Sequence, residues 1–166
     1  MARIDIPEGK GSEAERLFRL NAPTAMAQAS VSGAIYSQKH LSMREREAIR
    51  MRIAIINQCQ ICLGFRFPEL VEQGVTEEFY AQVEHWRDSP DLSTREKLAV
   101  EYTERFILDH LNIDDAFFER FRAHYRDEEI LEMTGIIGGL LANGRMLQVL
   151  SIDQQCAIDI RQSEFA

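Results

Sequence analysis

Two of the chain's three cysteines stand three residues apart, in Cys59-Gln60-Ile61-Cys62. At the start of a helix, that spacing brings two sulfurs within reach of a disulfide. Helix-start N–H groups also favour the thiolate, the attacking form of the group. Asn57-Gln58 provides a natural break just before Cys59. Three chemistries fit the pair. The first is a dithiol that cycles with its disulfide. The second is a metal site, but a structural zinc takes four ligands. With no second Cys-x-x-Cys, only Cys156 and the scattered His40, His85, His110 and His124 could complete one. The third is no chemistry at all, two buried cysteines serving as small apolar residues.

Glu47 lies twelve residues before Cys59. Along one straight helix that separation is about 18 Å, beyond contact. If the chain folds back after Asn57, the carboxylate comes near the thiols. A carboxylate beside a thiol can take its proton, directly or through water. The competing reading is an exposed helical Glu paired with Arg50 or Arg44.

The elements that would position these groups are helical. Ser12, just before Glu13, caps a first short helix. Pro23 opens a second, to about Tyr36. Ser42-Met43-Arg44-Glu45 has the capping-box pattern, in which the Ser oxygen accepts an orphan N–H and the Glu reaches back. A third helix then runs to about Asn57, with Ala48, Ile49, Ile53 and Ile56 along one flank. Gly74-Val75-Thr76 reads as stop, link and next cap, with a helix from Glu77 to about Trp86. Ser93-Thr94-Arg95-Glu96 is another capping box, opening a helix whose Leu98, Ala99, Tyr102 and Phe106 share a face. Asp114 caps a helix with Phe117, Phe121 and Tyr125 in register, and Asp127 starts the last long one. That last helix carries Gly135, Gly138, Gly139 and Gly144, a small-residue face read as packing within the chain ahead of a subunit contact. Pro68 is expected to bend the helix that carries the cysteines. The sum is an all-α bundle of about seven helices in one domain spanning 1–166.

Composition narrows the partners. With 166 residues, 45% hydrophobic and 28% charged, the chain can bury a core of its own. It carries 19 Lys+Arg against 27 Asp+Glu, a formal charge of −8. Nucleic-acid phosphates and anionic lipid would repel it, so neither is an expected partner. The longest uncharged, mainly apolar run, Met133 to Gly144, is far short of the ~20 residues of a membrane span. No apolar leader is visible at the N-terminus, so a cytoplasmic, reducing location is expected. Arg44, Arg46, Arg50 and Arg52 interleave with Glu45 and Glu47, which reads as a solvated, charge-laced helix face.

The stretch from Leu41 through Glu47 to Cys59 and Cys62 resembles the carboxymuconolactone decarboxylase superfamily, and within it the alkylhydroperoxidase D-like branch. That branch's signature is a Glu, twelve residues to a Cys-x-x-Cys, then a His four residues on. Glu47, Cys59 and Cys62 match by type and spacing; Gly74 to Glu78 and Ala142-Asn143-Gly144-Arg145 resemble later family segments. The likeness covers roughly His40 to Leu111 well and Asp114 to Leu150 loosely. It implies a peroxiredoxin-type antioxidant activity without cofactor or metal. Cys62 would attack a hydroperoxide and become a sulfenic acid, Cys59 would condense with it, and Glu47 would be the base. An external dithiol or lipoyl-type reductant would reset the pair, and the protein would be a homo-oligomer, trimer or hexamer. The departure is Arg66, which stands where the family has His. Arginine stays protonated and cannot relay a proton; what it can do is stabilise a nearby thiolate by charge. Leu63, Phe65 and Phe67 are either a rim for an organic hydroperoxide or core. Two other readings stay open: lactone decarboxylation, and a non-catalytic helical oligomerisation or binding module.

Overall fold

The computed structural model describes residues 2–37 and 40–152; Cys156 lies outside them. Eight α-helices and two 3₁₀ turns make up the regular structure, and no strand occurs among the described residues. The helices are α1 (Glu13–Phe18), α2 (Ala22–Ser37), α3 (Met43–Asn57), α4 (Gln60–Gly64), α5 (Glu77–Glu84), α6 (Thr94–Leu108), α7 (Asp115–Arg122) and α8 (Asp127–Val149). The starts follow the local caps. Ser12, Ser42 and Ser93 each accept an N–H from the glutamate three residues on, and that glutamate returns the bond. Thr76 and Asp114 cap α5 and α7 in the simpler way. Gly74, at φ 79°, closes the 3₁₀ turn Pro68–Gln73 in the left-handed region, where a side chain would be strained.

Helix α3 is the axis of the molecule, packed against α4, α5, α6 and α8. One core lies between α3, α6, α7 and α8, with Ile49, Ile53, Tyr102, Phe121, Met133 and Ile137 all buried. Phe117, Phe121 and Tyr125 stack along it at centroid distances of 5.3 and 5.0 Å. Fully burying each large apolar side chain of this kind stabilises the fold by about 1.5–3 kcal/mol. A second core lies on the other flank of α3, built from Ala48, Met51, Leu70, Phe79, Val83 and Trp86. Helix α2 lies over α8, where Gly139 permits the approach. A Cβ at Gly139 would sit 2.5 Å from Ile35 Cδ1 and 2.9 Å from Val31 Cγ1. The glycine face of α8 therefore packs within the chain at this point.

Two expectations are corrected. The arginine-rich stretch of α3 is not a solvated face: Glu45, Arg46, Glu47 and Arg50 are buried. With neighbours on every side, its charges pair with residues of α6 and α8 or with one another. Arg46 meets Glu132 at 2.9 Å, Glu45 meets Arg95 at 2.7 Å, and Arg52 bonds Glu104. Pro68 bends no helix. α4 ends at Gly64, Phe65 and Phe67 are extended, and Pro68 opens the 3₁₀ turn from its first position, where its missing N–H costs nothing.

Candidate functional site

The reversal after α3 builds the site. Gln58 ends the helix at φ 53° and ψ 33°, and the N–H of Cys59 returns to Ala54 O at 3.1 Å. The chain turns back and Cys59 becomes the N-cap of α4. Arg145 of α8 steadies the corner, its Nε donating to Asn57 Oδ1 at 3.2 Å. Cys59 Sγ lies 2.7 Å from Cys62 Sγ and accepts the N–H of Cys62 at 3.4 Å. Both cysteines are free thiols. Cys59 is fully buried, whereas Cys62 is half-exposed. The two sulfurs thus face each other and need only a short closure to reach the ~2.05 Å of a disulfide.

Glu47 and Arg50 sit one turn apart on α3, both buried. Arg50 Nε reaches the two Glu47 oxygens at 3.0 and 2.9 Å, and Nη2 reaches Oε2 at 2.8 Å. The same guanidinium donates through Nη1 to the carbonyl of Cys62 at 2.5 Å and through Nη2 to that of Phe65 at 3.2 Å. Tyr80 of α5 donates its hydroxyl to Glu47 Oε2 at 2.7 Å. Glu47 thus comes to the cysteine segment through Arg50; its own hydrogen bonds run to Arg50 and Tyr80. Tyr36 of α2 lines a small cavity together with Glu47, Arg46 and Arg50.

The electrostatics follow. The hydrogen bond from Cys62 is the main cause that brings the Cys59 thiol down to about 7, against burial; backbone N–H groups and the Arg50 charge act in the same direction. Cys62 is pushed up, first because its S–H is committed to Cys59 and then by burial. Of the two sulfurs, Cys59 is thus the one on which a negative charge is favoured. Burial, followed by neighbouring negative charge, pushes Tyr80 up to about 12; burial also carries Tyr36 to about 12, with Glu47 and Cys62 adding to it and Arg50 opposing.

Of the four residues singled out by spacing, the structure brings Glu47, Cys59 and Cys62 into one neighbourhood. Arg66 is engaged elsewhere. Its Nε meets Glu77 at 2.5 Å, Nη1 donates to the carbonyls of Leu63 and Phe65 at 2.6 and 2.8 Å, and its guanidinium covers the Tyr80 ring at 4.2 Å. The cation whose charge acts on both sulfurs is Arg50. Leu63, Phe65 and Phe67 are half-buried; Leu63 and Phe67 pack on the second core, and the Phe65 and Phe67 rings meet edge to face at 4.6 Å. Arg50, Tyr80 and Tyr36 were not singled out by spacing. Arg50 had a signal, its position three residues after Glu47, but that spacing is equally common on wet helix faces. Among the described residues, no cluster of three or more His, Cys, Asp or Glu is placed to hold a metal. None of their helices is long and apolar enough to cross a membrane.

A buried acid–arginine pair on a central helix, with a dithiol at the following reversal, defines a helical dithiol protein. The chain belongs to the carboxymuconolactone decarboxylase family, whose sequence model matches residues 22–105. It is 29% identical over 120 residues to the uncharacterized protein YnjA of Escherichia coli (strain K12), covering 71% of this chain and 66% of that one. The chain thus spans about two thirds of that relative's length. The fold matches the alkylhydroperoxidase AhpD core of an uncharacterized peroxidase-related protein from Ralstonia eutropha JMP134, with a TM-score of 0.71 at 18% identity, covering 82% of this chain and 73% of that one. It also matches the debrominase Bmp8 in complex with 2,3,4-tribromopyrrole, with a TM-score of 0.75 at 16% identity over 95% and 84% of the two chains. The all-α, AhpD-like architecture is the one expected from the sequence.

Proposed function

We propose that this protein is a thiol-dependent peroxidase working through the Cys59–Cys62 dithiol and its disulfide. The observation that carries the reading is the pair itself, two free sulfurs facing each other 2.7 Å apart at the head of α4. Cys62 is the more exposed sulfur and the one a hydroperoxide meets. A proton shift from Cys62 to Cys59 puts the negative charge on Cys62. Its attack forms an S–O bond and breaks the peroxide O–O bond; the alcohol leaves after taking up one proton. Cys62 is then a sulfenic acid. The Cys59 thiol attacks that sulfur, the S–S bond forms, the S–O bond breaks, and water leaves. An external dithiol, of lipoyl type or a protein dithiol, reduces the disulfide and becomes oxidised in turn. The working form is a homo-oligomer in this reading.

The test is hydroperoxide consumption by the reduced protein with dihydrolipoamide as donor, for the parent, Cys59→Ser and Cys62→Ser. Both variants are expected to lose multiple turnover. Wild-type turnover in Cys62→Ser would overturn the assignment. Lactone decarboxylation, the activity that names the family, makes no use of the cysteine pair, and no feature of the site favours it.

A further inference from the structure

Arg50 is the side chain on which the site converges. It is 5% exposed, and its hydrogen bonds join three separate segments: Glu47 on its own helix, the carbonyl of Cys62 within α4, and the carbonyl of Phe65 just beyond. Those carbonyls belong to the end of α4, where the helix leaves them without intrahelical partners. Around the cysteine segment stand Tyr36 from α2, Glu47 and Arg50 from α3, Tyr80 from α5 and Arg145 from α8, which donates to Asn57. Arg46 of α3 is drawn to Glu132, and Arg66, after α4, to Glu77. Among them Arg50 is the buried cation that bonds the segment itself. Glu47 meets Arg50 and Tyr80, and neither sulfur is among its partners.

We propose that Arg50 is the positioning residue of the dithiol and that Glu47 is its anchor: the guanidinium fixes the cysteine segment against a buried positive charge, and that charge, rather than proton transfer to Glu47, stabilises the thiolate. The proposal deepens the thiol-redox reading and rests on it for its place in turnover. Its physical content is separate, because a thiol titrates whether or not the protein consumes peroxide. Removing the cation withdraws stabilisation from the thiolate. Removing the anchor's charge while keeping its shape leaves the cation less neutralised, which favours the thiolate further.

The experiment is a thiolate-absorbance titration of the reduced protein for the parent, Arg50→Gln, Arg50→Lys and Glu47→Gln, each checked for folding by circular dichroism. Arg50→Gln is expected to raise the first thiol titration by about one unit, a tenfold fall in the thiolate-to-thiol ratio at a fixed pH below it. Arg50→Lys, which keeps a charge, recovers most of that ratio. Glu47→Gln titrates at the parent value or below. If Arg50→Gln does not fold, the double variant Glu47→Gln/Arg50→Met, which removes the ion pair together, is expected to show the same rise. A titration of Arg50→Gln, or of the double variant in its place, superimposable on the parent overturns the proposal. So does a rise in Glu47→Gln matching that of Arg50→Gln, since the carboxylate would then be the agent. Peroxide turnover by the parent is measured alongside. Its absence with the Arg50 shift present refutes the peroxidase reading and leaves this inference standing; turnover without the shift does the reverse.

Discussion

Replacing Cys62 by Ala tests the charge distribution within the pair. The largest influence lowering the Cys59 thiol to about 7 is the hydrogen bond from Cys62. Alanine removes that donor and leaves the backbone N–H and Arg50 in place, while burial still opposes the charge. Cys59 is then expected to return to an ordinary value of about 8.5 or above. At pH 7 the thiolate fraction of Cys59 falls from about one half to about 3%. The same change appears in stability. Between pH 7 and 8.5 the unfolded thiol still holds a proton that the folded one has released. The unfolded state therefore binds more protons, and stability rises with pH. From Cys59 alone the gain is about 1.3 kcal/mol across that window and about 2 kcal/mol in full, lost as the pH falls through 7; Cys62, whose folded thiol keeps its proton, opposes it from about pH 8.5 upward. Cys62→Ala lacks the Cys59 gain. The measurement is urea unfolding of both reduced proteins at pH 6, 7, 7.5 and 8, below the range where the unfolded Cys62 thiol ionises, taken as the difference between them so that groups outside the pair cancel, with thiolate absorbance recorded in parallel. A Cys59 in the variant that still titrates near 7, or a stability difference that does not change with pH, would show that the S–H to S contact does not hold the charge.

Arg66→Ala is expected to leave the thiol titration where it is in the parent, because its guanidinium is spent on Glu77, two carbonyls and the Tyr80 ring; a rise of half a unit or more in the same absorbance titration would contradict this. Glu132→Gln leaves the Arg46 charge without its buried partner. It should cost about 3–5 kcal/mol in urea unfolding, and a loss under about 1 kcal/mol would mean the pair behaves as a surface contact. The glycines of α8 should part in sign. Gly138→Ala meets no atom within 4 Å and should stabilise by about 0.5–1 kcal/mol, whereas Gly139→Ala drives a methyl against Ile35 and Val31 and should destabilise by about 1–3 kcal/mol. Equal effects in thermal melts would place the α2–α8 approach elsewhere.

What the sequence disclosed follows from the range over which each signal acts. Helix starts at Ser12, Ser42 and Ser93 were legible because a capping box closes within four residues. The thiol pair was legible for the same reason. So was the need for a reversal after Asn57, since a straight helix would carry Glu47 away from the sulfurs. Tyr80 was not legible. It reaches Glu47 from 33 residues downstream, and nothing near it marks that encounter. Arg50 is the instructive case. A Glu and an Arg three apart on a helix dense in charge have the pattern of a wet face, and the rule behind that reading assumes a helix with one dry side. Helix α3 has cores on two flanks and the cysteine segment beyond its end. On an exposed face the Glu47–Arg50 couple would contribute well under ~1 kcal/mol and could be lost quietly. Enclosed by α2, α4 and α5, the same two residues become groups whose separation costs about 3–5 kcal/mol, and one of them reaches the carbonyl of Cys62. Residue type and spacing are identical in the two cases. Only the elements packed around the pair decide whether it is surface decoration or the frame of a site.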